Sequence, residues 1–292
     1  MSAGVITDVP AIRVGHWTNR EARTGCTVVL PPPGAVASGE IRGGAPAERD
    51  FALLAPERTV PGVDAVAIAG GSAFGLAASD GVARWCEEQG LGLETPAGRV
   101  PIVVGMAIFD LMAAEPGVRP TADAGYEAAA AASDGGALET GRVGAGTGAT
   151  VGGWGGPDRV RPGGLGSASE RHGDVVVGAL VVVNAFGEPI GGGAGRPRLA
   201  PGYEAPFAGG PSRNTTVGVI ATNARLDKTG CFLTAQSGHD GIARAIEPAH
   251  TTFDGDALVA LATGATDAPL ELVRALAARA VERAVHQAFD GA

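Results

Sequence analysis

The chain has 292 residues, 45% hydrophobic and 18% charged, a balance that fits a buried globular core and argues against a disordered chain. Its formal net charge of -9, with Lys228 as the single lysine and no Lys/Arg cluster, offers no electrostatic footprint for nucleic acid. No apolar run reaches membrane-spanning length, and the start, Met1-Ser2-Ala3-Gly4-Val5-Ile6-Thr7-Asp8, has neither the basic residues nor the apolar stretch of a signal peptide. A cytoplasmic protein with no membrane or nucleic-acid partner is therefore expected.

No linker-like tract divides the chain, and one domain over residues 1–292 is expected. In chain order, Gly15-His16-Trp17-Thr18 leads toward a strand at Cys26–Leu30 that stops at Pro31-Pro32-Pro33. Ala45 to Leu54 reads as a loop and short helix. The apolar run Val63–Ala69 ends at Gly70-Gly71, and Ser72 then opens a helix reaching about Gln89. A glycine turn at a helix start can hold phosphate, but this one lacks the GxGxxG and P-loop spacings, so close strand-to-helix packing is the better reading than nucleotide binding.

Val100–Val104 is a strand candidate, Ala122–Ala132 an alanine-rich helix, and Gly141–Gly166 a glycine-rich stretch that on its own reads as a flexible loop. Asp174–Val183 is continuous rather than alternating in its apolar residues, the pattern of a strand buried on both faces. Val217–Thr222 and Ala257–Ala262 are further strands. Leu226–Ile246 contains helical material, and Ala268–Phe289 is an amphipathic helix in which Leu272, Leu276, Val281 and Val285 form a core or subunit-interface stripe. Apolar strands with flanking helices make a layered α/β protein.

Cys26, Cys86 and Cys231 are far apart, odd in number and without CxxC spacing, so structural thiols are expected. His16, His172, His239, His250 and His286 show no metal-ligand spacing. No metal or cofactor is expected.

The stretch that carries chemistry is Arg213-Asn214-Thr215-Thr216-Val217, where a turn-rich loop, Gly209 to Asn214, runs into an apolar strand. A threonine hydroxyl is a weak nucleophile without a base beside it, and an N-terminal threonine supplies that base through its own α-amine, which titrates near roughly 8. Cleavage between Asn214 and Thr215 would expose it. Phe253-Asp254-Gly255-Asp256 reads as a turn entering a strand, and carboxylates two residues apart there can face one side, orient a hydroxyl and shift each other's proton affinity. On spacing alone other readings stand: Asn-Thr-Thr is also an ordinary strand start, and Asp-Gly-Asp a solvated turn or part of a calcium loop. Asn184 at the end of its strand is, by the same standard, a turn-capping amide.

The chain resembles the L-aminopeptidase/D-esterase family, which includes β-peptidyl aminopeptidases and 6-aminohexanoate-oligomer (nylon oligomer) hydrolases. The blocks that carry the resemblance, in order, are Arg13–Thr18, Gly70–Leu76, Ile108–Leu111, Gly144–Ala149, Gly163–Ser167, Val181–Ala185, Asn214–Thr216 and Asp254–Asp256. The resemblance implies an αββα sandwich like that of N-terminal-nucleophile hydrolases, self-cleavage at Asn214-Thr215 into residues 1–214 and 215–292, and assembly into a homo-oligomer of cleaved protomers. It implies Thr215 as nucleophile, Asp254 and Asp256 as the acidic pair, Asn184 as a holder of the substrate carbonyl, and the backbone around Gly71, Ser72, Gly146 and Thr147 as part of the substrate pocket.

One departure is that many relatives carry a lysine after the Gly-Thr-Gly-Ala segment, where this chain has Gly153, which weakens the nylon-oligomer reading. The expected function is release of N-terminal residues from small peptides or amino-acid amides and esters. The alternatives are an endo-acting amidase on aminohexanoate oligomers and, in another class, an uncleaved binding or scaffold protein.

Overall fold

Residues 175–184, Val-Val-Val-Gly-Ala-Leu-Val-Val-Val-Asn, form a strand in which all ten residues are buried. Burial on both faces follows from its place in the molecule. The structure, a computed structural model, describes residues 4–190 and 214–289. The proposed loop residues Gly209–Arg213 lie outside the described residues.

Two five-stranded sheets are built from β1 (Arg13–Asn19), β2 (Thr24–Leu30), β3 (Val36–Ile41), β4 (Glu48–Arg49), β5 (Ala65–Ala69), β6 (Val103–Ala107), β7 (Gly164–His172), β8 (Val175–Asn184), β9 (Thr215–Ala224) and β10 (Ala257–Thr266). The helices are α1 (Ala78–Glu88), α2 (Ala122–Asp134), α3 (Lys228–Ala245) and α4 (Leu270–Gln287). The first sheet runs β1-β2-β5-β6-β4 and the second β7-β8-β9-β10-β3. The pairs β5/β6 and β9/β10 are parallel, and their neighbours in each sheet are antiparallel.

Side-chain alternation along β8 and β9 distributes residues between two cores. Val176, Leu180, Val182, Val217, Val219 and Ala221 face Val29, Val66, Ile68, Val104 and Met106 of the first sheet. Val177, Val181, Val183 and Ile220 instead pack under α3 and α4 with Ile242, Val273, Val281 and Val285. A third core joins Val28, Leu30 and Ala67 to Val82, Trp85, Ala128 and Ala132 of α1 and α2. The layer order is helices, sheet, sheet, helices: the αββα sandwich. Each fully buried Val, Leu or Ile contributes roughly 1.5–3 kcal/mol relative to exposure, so the double burial of β8 and β9 anchors the centre of the second sheet.

The elements differ from the sequence reading in instructive places. The helix expected from Ser72 begins as a 3-10 segment, Ser72–Ala77, before α1 takes over. The strand expected at Val100–Val104 is β6, shifted to Val103–Ala107, because Gly98–Val100 pairs instead with Leu93–Thr95 in a small hairpin. The glycine-rich stretch 141–166 is ordered backbone: a 3-10 turn at Gly144–Gly146, the short strand Thr150–Val151, and the start of β7. Four of these ten strands, β1, β3, β4 and β7, were not expected. Among the described residues no helix is long and apolar enough to cross a membrane.

Candidate active site

Thr215 opens β9 directly opposite Asn184, the last residue of β8. Opposed residues in an antiparallel pair project to one face, here the face that carries Val182 and Val217 into the inter-sheet core. Both side chains are buried, Thr215 4% and Asn184 0% exposed. The preceding residue, Asn214, bridges Asp254 in parallel register, which brings the Asp-Gly-Asp segment alongside the Asn214-Thr215 peptide.

That peptide is held on all sides. The Asn214 N–H donates to the Phe253 carbonyl at 3.2 Å. The Asn214 carbonyl oxygen accepts two hydrogen bonds, from the Gly255 N–H at 3.0 Å and from the Thr215 hydroxyl at 2.5 Å. The nucleophile candidate therefore touches the carbonyl it would attack, and a backbone donor polarises the same oxygen.

The two carboxylates lie beneath this peptide, each 1% exposed. Asp256 Oδ1 accepts from the Thr216 N–H at 2.6 Å, while its Oδ2 accepts from the His250 N–H at 3.2 Å and meets His250 Nδ1 at 2.7 Å. Asp254 Oδ1 accepts from the Phe186 N–H at 3.0 Å, and Oδ2 from the Thr251 N–H at 2.9 Å and the Thr251 hydroxyl at 2.5 Å. Burial, reinforced by the neighbouring Asp256 charge, pushes Asp254 up to about 6 against the opposing hydrogen bonds from Thr251 and Phe186. A carboxyl tuned into that range can exchange a proton near neutrality.

Backbone from residues 42–45 clamps the acidic turn: the Arg42 and Gly43 N–H groups donate to the Asp256 carbonyl at 2.8 and 3.1 Å, and the Ala45 N–H to the Asp254 carbonyl at 2.9 Å. A side chain at Gly43 would put its Cβ 2.2 Å from both the Asp254 oxygen and the Asp256 nitrogen. The sequence reading had assigned this segment no part in function.

Asn184 is tied at both ends of its amide. Oδ1 accepts from the Thr150 N–H at 2.8 Å, and Nδ2 donates to the Phe109 carbonyl at 3.1 Å. The next residue, Asp110, staples the glycine turn of the first sheet: Oδ1 accepts the Gly71 N–H at 2.6 Å and Oδ2 the Thr24 hydroxyl at 2.7 Å. Burial raises its pKa, with the hydrogen bonds from Gly71, Thr24 and its own backbone opposing.

A cavity of about 530 Å³ opens over Thr215, lined by Ala47, Ser72, Ala73, Phe109 and Phe253 among others. Its size suits a small ligand, and no described lining residue carries a formal charge. A larger cavity, about 880 Å³, lies near Glu40, Glu48, Phe51 and Phe232. It contains no candidate nucleophile, so the chemistry is assigned to the smaller one.

Of the expected pocket residues, Ser72 lines the cavity over Thr215 and Gly71 precedes it at φ +83°, its amide held by Asp110. Gly146 and Thr147 are buried away from that lining, where the Thr147 hydroxyl donates to the Gly144 carbonyl at 2.6 Å. Asp254 and Asp256 are likewise absent from the lining.

Gly153, at the position where the family resemblance implies a lysine, begins the 3-10 turn Gly153–Gly155. The thiols of Cys26, Cys86 and Cys231 are buried, which pushes each up to about 12 and leaves them unreactive. Among the described residues no group of three or more His, Cys, Asp or Glu side chains is placed to hold a metal ion.

Two contributors were invisible beforehand. The Gly255 amide is a backbone donor with no side-chain signature, and His250 sits in a loop with no recognisable spacing. The only available sign for Gly255 was its position between two aspartates.

Two packed five-stranded sheets between helix layers are an architecture that this chain shares with solved aminopeptidases. A solved L-aminopeptidase D-Ala-esterase/amidase from Ochrobactrum anthropi, described as a variant among the Ntn hydrolase fold, superposes with a TM-score of 0.68 over 99% of this chain and 87% of that one, at 20% identity. A Burkholderia sp. β-aminopeptidase superposes with a TM-score of 0.73 at 26% identity, covering 98% of this chain and 87% of that one.

Residues 4–292 match peptidase family S58, and the chain belongs to that family. An uncharacterized aminopeptidase of Mycobacterium tuberculosis is 43% identical over 301 residues, covering 91% of this chain and 83% of the relative. A 6-aminohexanoate-oligomer endohydrolase of Kocuria sp. is 31% identical over 284 residues, 90% of this chain and 76% of that protein. The protein is a hydrolase acting on amide bonds.

Proposed function

We propose that the chain cuts itself between Asn214 and Thr215 and that the new N-terminal threonine then hydrolyses the N-terminal amide bond of small peptides and amino-acid amides or esters. The observation that carries this reading is the 2.5 Å contact between the Thr215 hydroxyl and the Asn214 carbonyl oxygen, with the Gly255 N–H on the same oxygen.

In maturation, Thr215 Oγ1 forms a bond to the Asn214 carbonyl carbon and loses its proton. The oxyanion is stabilised by the Gly255 N–H, a contribution of roughly 3 kcal/mol for one such donor. Collapse breaks the carbon–nitrogen bond, the departing nitrogen takes a proton and becomes the Thr215 α-amine, and water opens the resulting ester.

In turnover the same oxygen attacks the substrate carbonyl, the α-amine receives the hydroxyl proton and delivers it to the leaving amine, and water releases the acid from the acyl-enzyme. Asp254 and Asp256 beneath the threonine counter the positive charge that forms on that amine. Asn184, opposite Thr215 in the register, orients the carbonyl together with backbone N–H groups.

The uncharged lining of the cavity, with Phe109 and Phe253, favours a small apolar acyl residue. An exo-acting aminopeptidase is favoured over an oligomer endohydrolase by Gly153, which leaves this chain without the lysine found in the nylon-oligomer branch. Assembly from cleaved protomers and residence in the cytoplasm complete the proposal.

The test is the intact mass of purified wild type beside Thr215→Ala. Two chains of about 21 and about 8 kDa, apportioned by length from 28.8 kDa, are expected from wild type and one whole chain from the variant. Amino-acid amides and aminohexanoate oligomers are then assayed in parallel. An uncut wild-type chain overturns the mechanism and returns the scaffold reading, and turnover confined to the oligomers overturns the exo assignment.

A further inference from the structure

Behind Asp256 lies a pair of histidines that the proposed reaction does not use. His250 is 15% exposed at its side chain, and both of its ring nitrogens face acceptors: Nδ1 meets Asp256 Oδ2 at 2.7 Å and Nε2 meets the His239 carbonyl at 3.3 Å. A neutral imidazole has one N–H, whereas the imidazolium has two, so only the cation satisfies both contacts by donation.

His239, packed edge-on against it with ring centroids 4.8 Å apart, is the opposite case. Its Nε2 meets the Glu40 carbonyl at 3.0 Å while the buried Nδ1 has no hydrogen-bond partner, as expected of a neutral ring.

The His250 backbone is also committed, since φ is +56° and its own N–H donates to Asp256 Oδ2. Non-glycine residues seldom adopt that conformation and hold it where the surroundings require it. Ring and backbone together give two hydrogen bonds to one carboxylate oxygen, leaving Oδ1 for the Thr216 N–H next to the nucleophile.

We propose that His250 is a positioning residue, held as an imidazolium between Asp256 and the His239 carbonyl, which fixes the Asp256 carboxylate beneath Thr216 and leaves Asp254 as the proton-exchanging member of the acidic pair. This rests on the reading of Thr215 as nucleophile.

The groups that face His250 agree with the assignment. Burial and the Arg42 guanidinium pull its pKa down, but the hydrogen bond and charge of Asp256 and the His239 carbonyl outweigh them, and the net direction is up. Burial, the largest cause, holds His239 down at about 3, with His250 and Arg42 adding to it against the Glu40 carbonyl. Arg42 itself is engaged by Glu40 and Asp240.

The experiment is nitrogen-15 NMR of the histidine side chains in wild type and in Thr215→Ala, joined to pH profiles of His250→Gln and His250→Asn. Asparagine tolerates a positive φ, so the second variant separates loss of the ring from backbone strain. One histidine with both ring nitrogens protonated at pH 8, missing from the spectra of both His250 variants, is expected.

Both variants should lose about 10- to 100-fold in kcat with KM changed less than about threefold, as misplacement of a catalytic group predicts. The acid limb of kcat/KM should move up by about one pH unit as the positive charge leaves the carboxylate pair. A neutral His250 at pH 8, or variants that lower thermal stability with the pH limb unmoved, overturns the proposal. Cleavage persisting in Thr215→Ala overturns the nucleophile reading alone, because the histidine spectrum is read independently of it.

Discussion

The backbone amide of Gly255 points at the carbonyl of Asn214, 3.0 Å from nitrogen to oxygen, on the peptide whose other side carries the Thr215 hydroxyl. A donor placed there before any bond is broken is preorganised for the oxyanion of self-cleavage. It also explains why the residue between the two aspartates is glycine. A Cβ at position 255 would stand 2.7 Å from the Ala45 carbonyl oxygen and 2.9 Å from Thr215 Oγ1.

Gly255→Ala is therefore expected to fold but to push the hydroxyl and the amide out of line. Overpacking of this kind costs about 1–3 kcal/mol, and because the displaced atoms are the reacting ones, self-cleavage should slow by about 100-fold. The appearance of the smaller chain over time, followed by intact mass, measures it. Cleavage at the wild-type rate would remove Gly255 from the mechanism.

Asp254 sets a pH dependence with a definite sign. Its folded-state pKa is raised to about 6, above the ordinary carboxylate value, first by burial and then by Asp256. Below the ordinary value it is protonated in both folded and unfolded chains, and its contribution to stability is fully present. As pH rises from there through about 6, the unfolded chain releases its proton first, so this group's contribution to stability falls.

Activity should run the other way. If the ionised form accepts the proton, the self-cleavage rate rises through about pH 6 and levels above it. Asp254→Asn should abolish that rise, and its carboxamide, facing the donors of Thr251 and Phe186, should leave one of them unpaired. Rates from pH 4 to 8 in both proteins decide the matter.

How much of this was legible in the sequence depended on side-chain chemistry. Strands β8, β9 and β10 announced themselves because valine-rich runs buried on both faces leave continuous apolar sequence. Three of the missed strands, β1, β3 and β7, share a different property. Gly15 on β1 lies where a Cβ would come 2.2 Å from the Ala132 nitrogen of α2, and Gly166 on β7 where it would come 1.8 Å from the Ala284 oxygen of α4. Gly39 on β3 is packed against the Leu258 oxygen in the same way, at 2.8 Å.

Glycines there admit a close neighbouring backbone, and the packing that makes them strands removes the β-branched residues by which strands are recognised. The same division runs through the site. Thr215, Asp254 and Asp256 were candidates by residue type and spacing and Asn184 by the family resemblance, and the structure brings all four to the junction of β8, β9 and the start of β10. The Gly255 amide, the clamp at residues 42–45 and His250 act through backbone groups or distant contacts, which leave no local pattern.

Asp110 connects the two sheets' contributions and should matter for stability as well as binding. Its carboxylate holds the Gly71 amide and the Thr24 hydroxyl, both buried, and Phe109 beside it accepts from Asn184. Asp110→Ala would strand those two donors at about 1–3 kcal/mol each. Urea unfolding should show a lower midpoint with an unchanged slope. The displaced Ser72 turn should raise KM more than it lowers kcat.

Substrate selection can be tested where the cavity meets solvent. Ala73 is an exposed residue on its wall, in the 3-10 segment Ser72–Ala77, so enlarging it intrudes on the space over Thr215 without disturbing a core. Surface substitutions of this kind change stability by less than about 0.5 kcal/mol. Ala73→Phe should therefore self-cleave normally and keep its melting temperature. Its kcat/KM for leucyl and phenylalanyl amides should fall by about tenfold or more relative to alanyl amide, the scale on which a pocket discriminates by size. Equal losses on all three amides would mean that the acyl side chain binds away from Ala73, and that this wall of the cavity accommodates the leaving group instead.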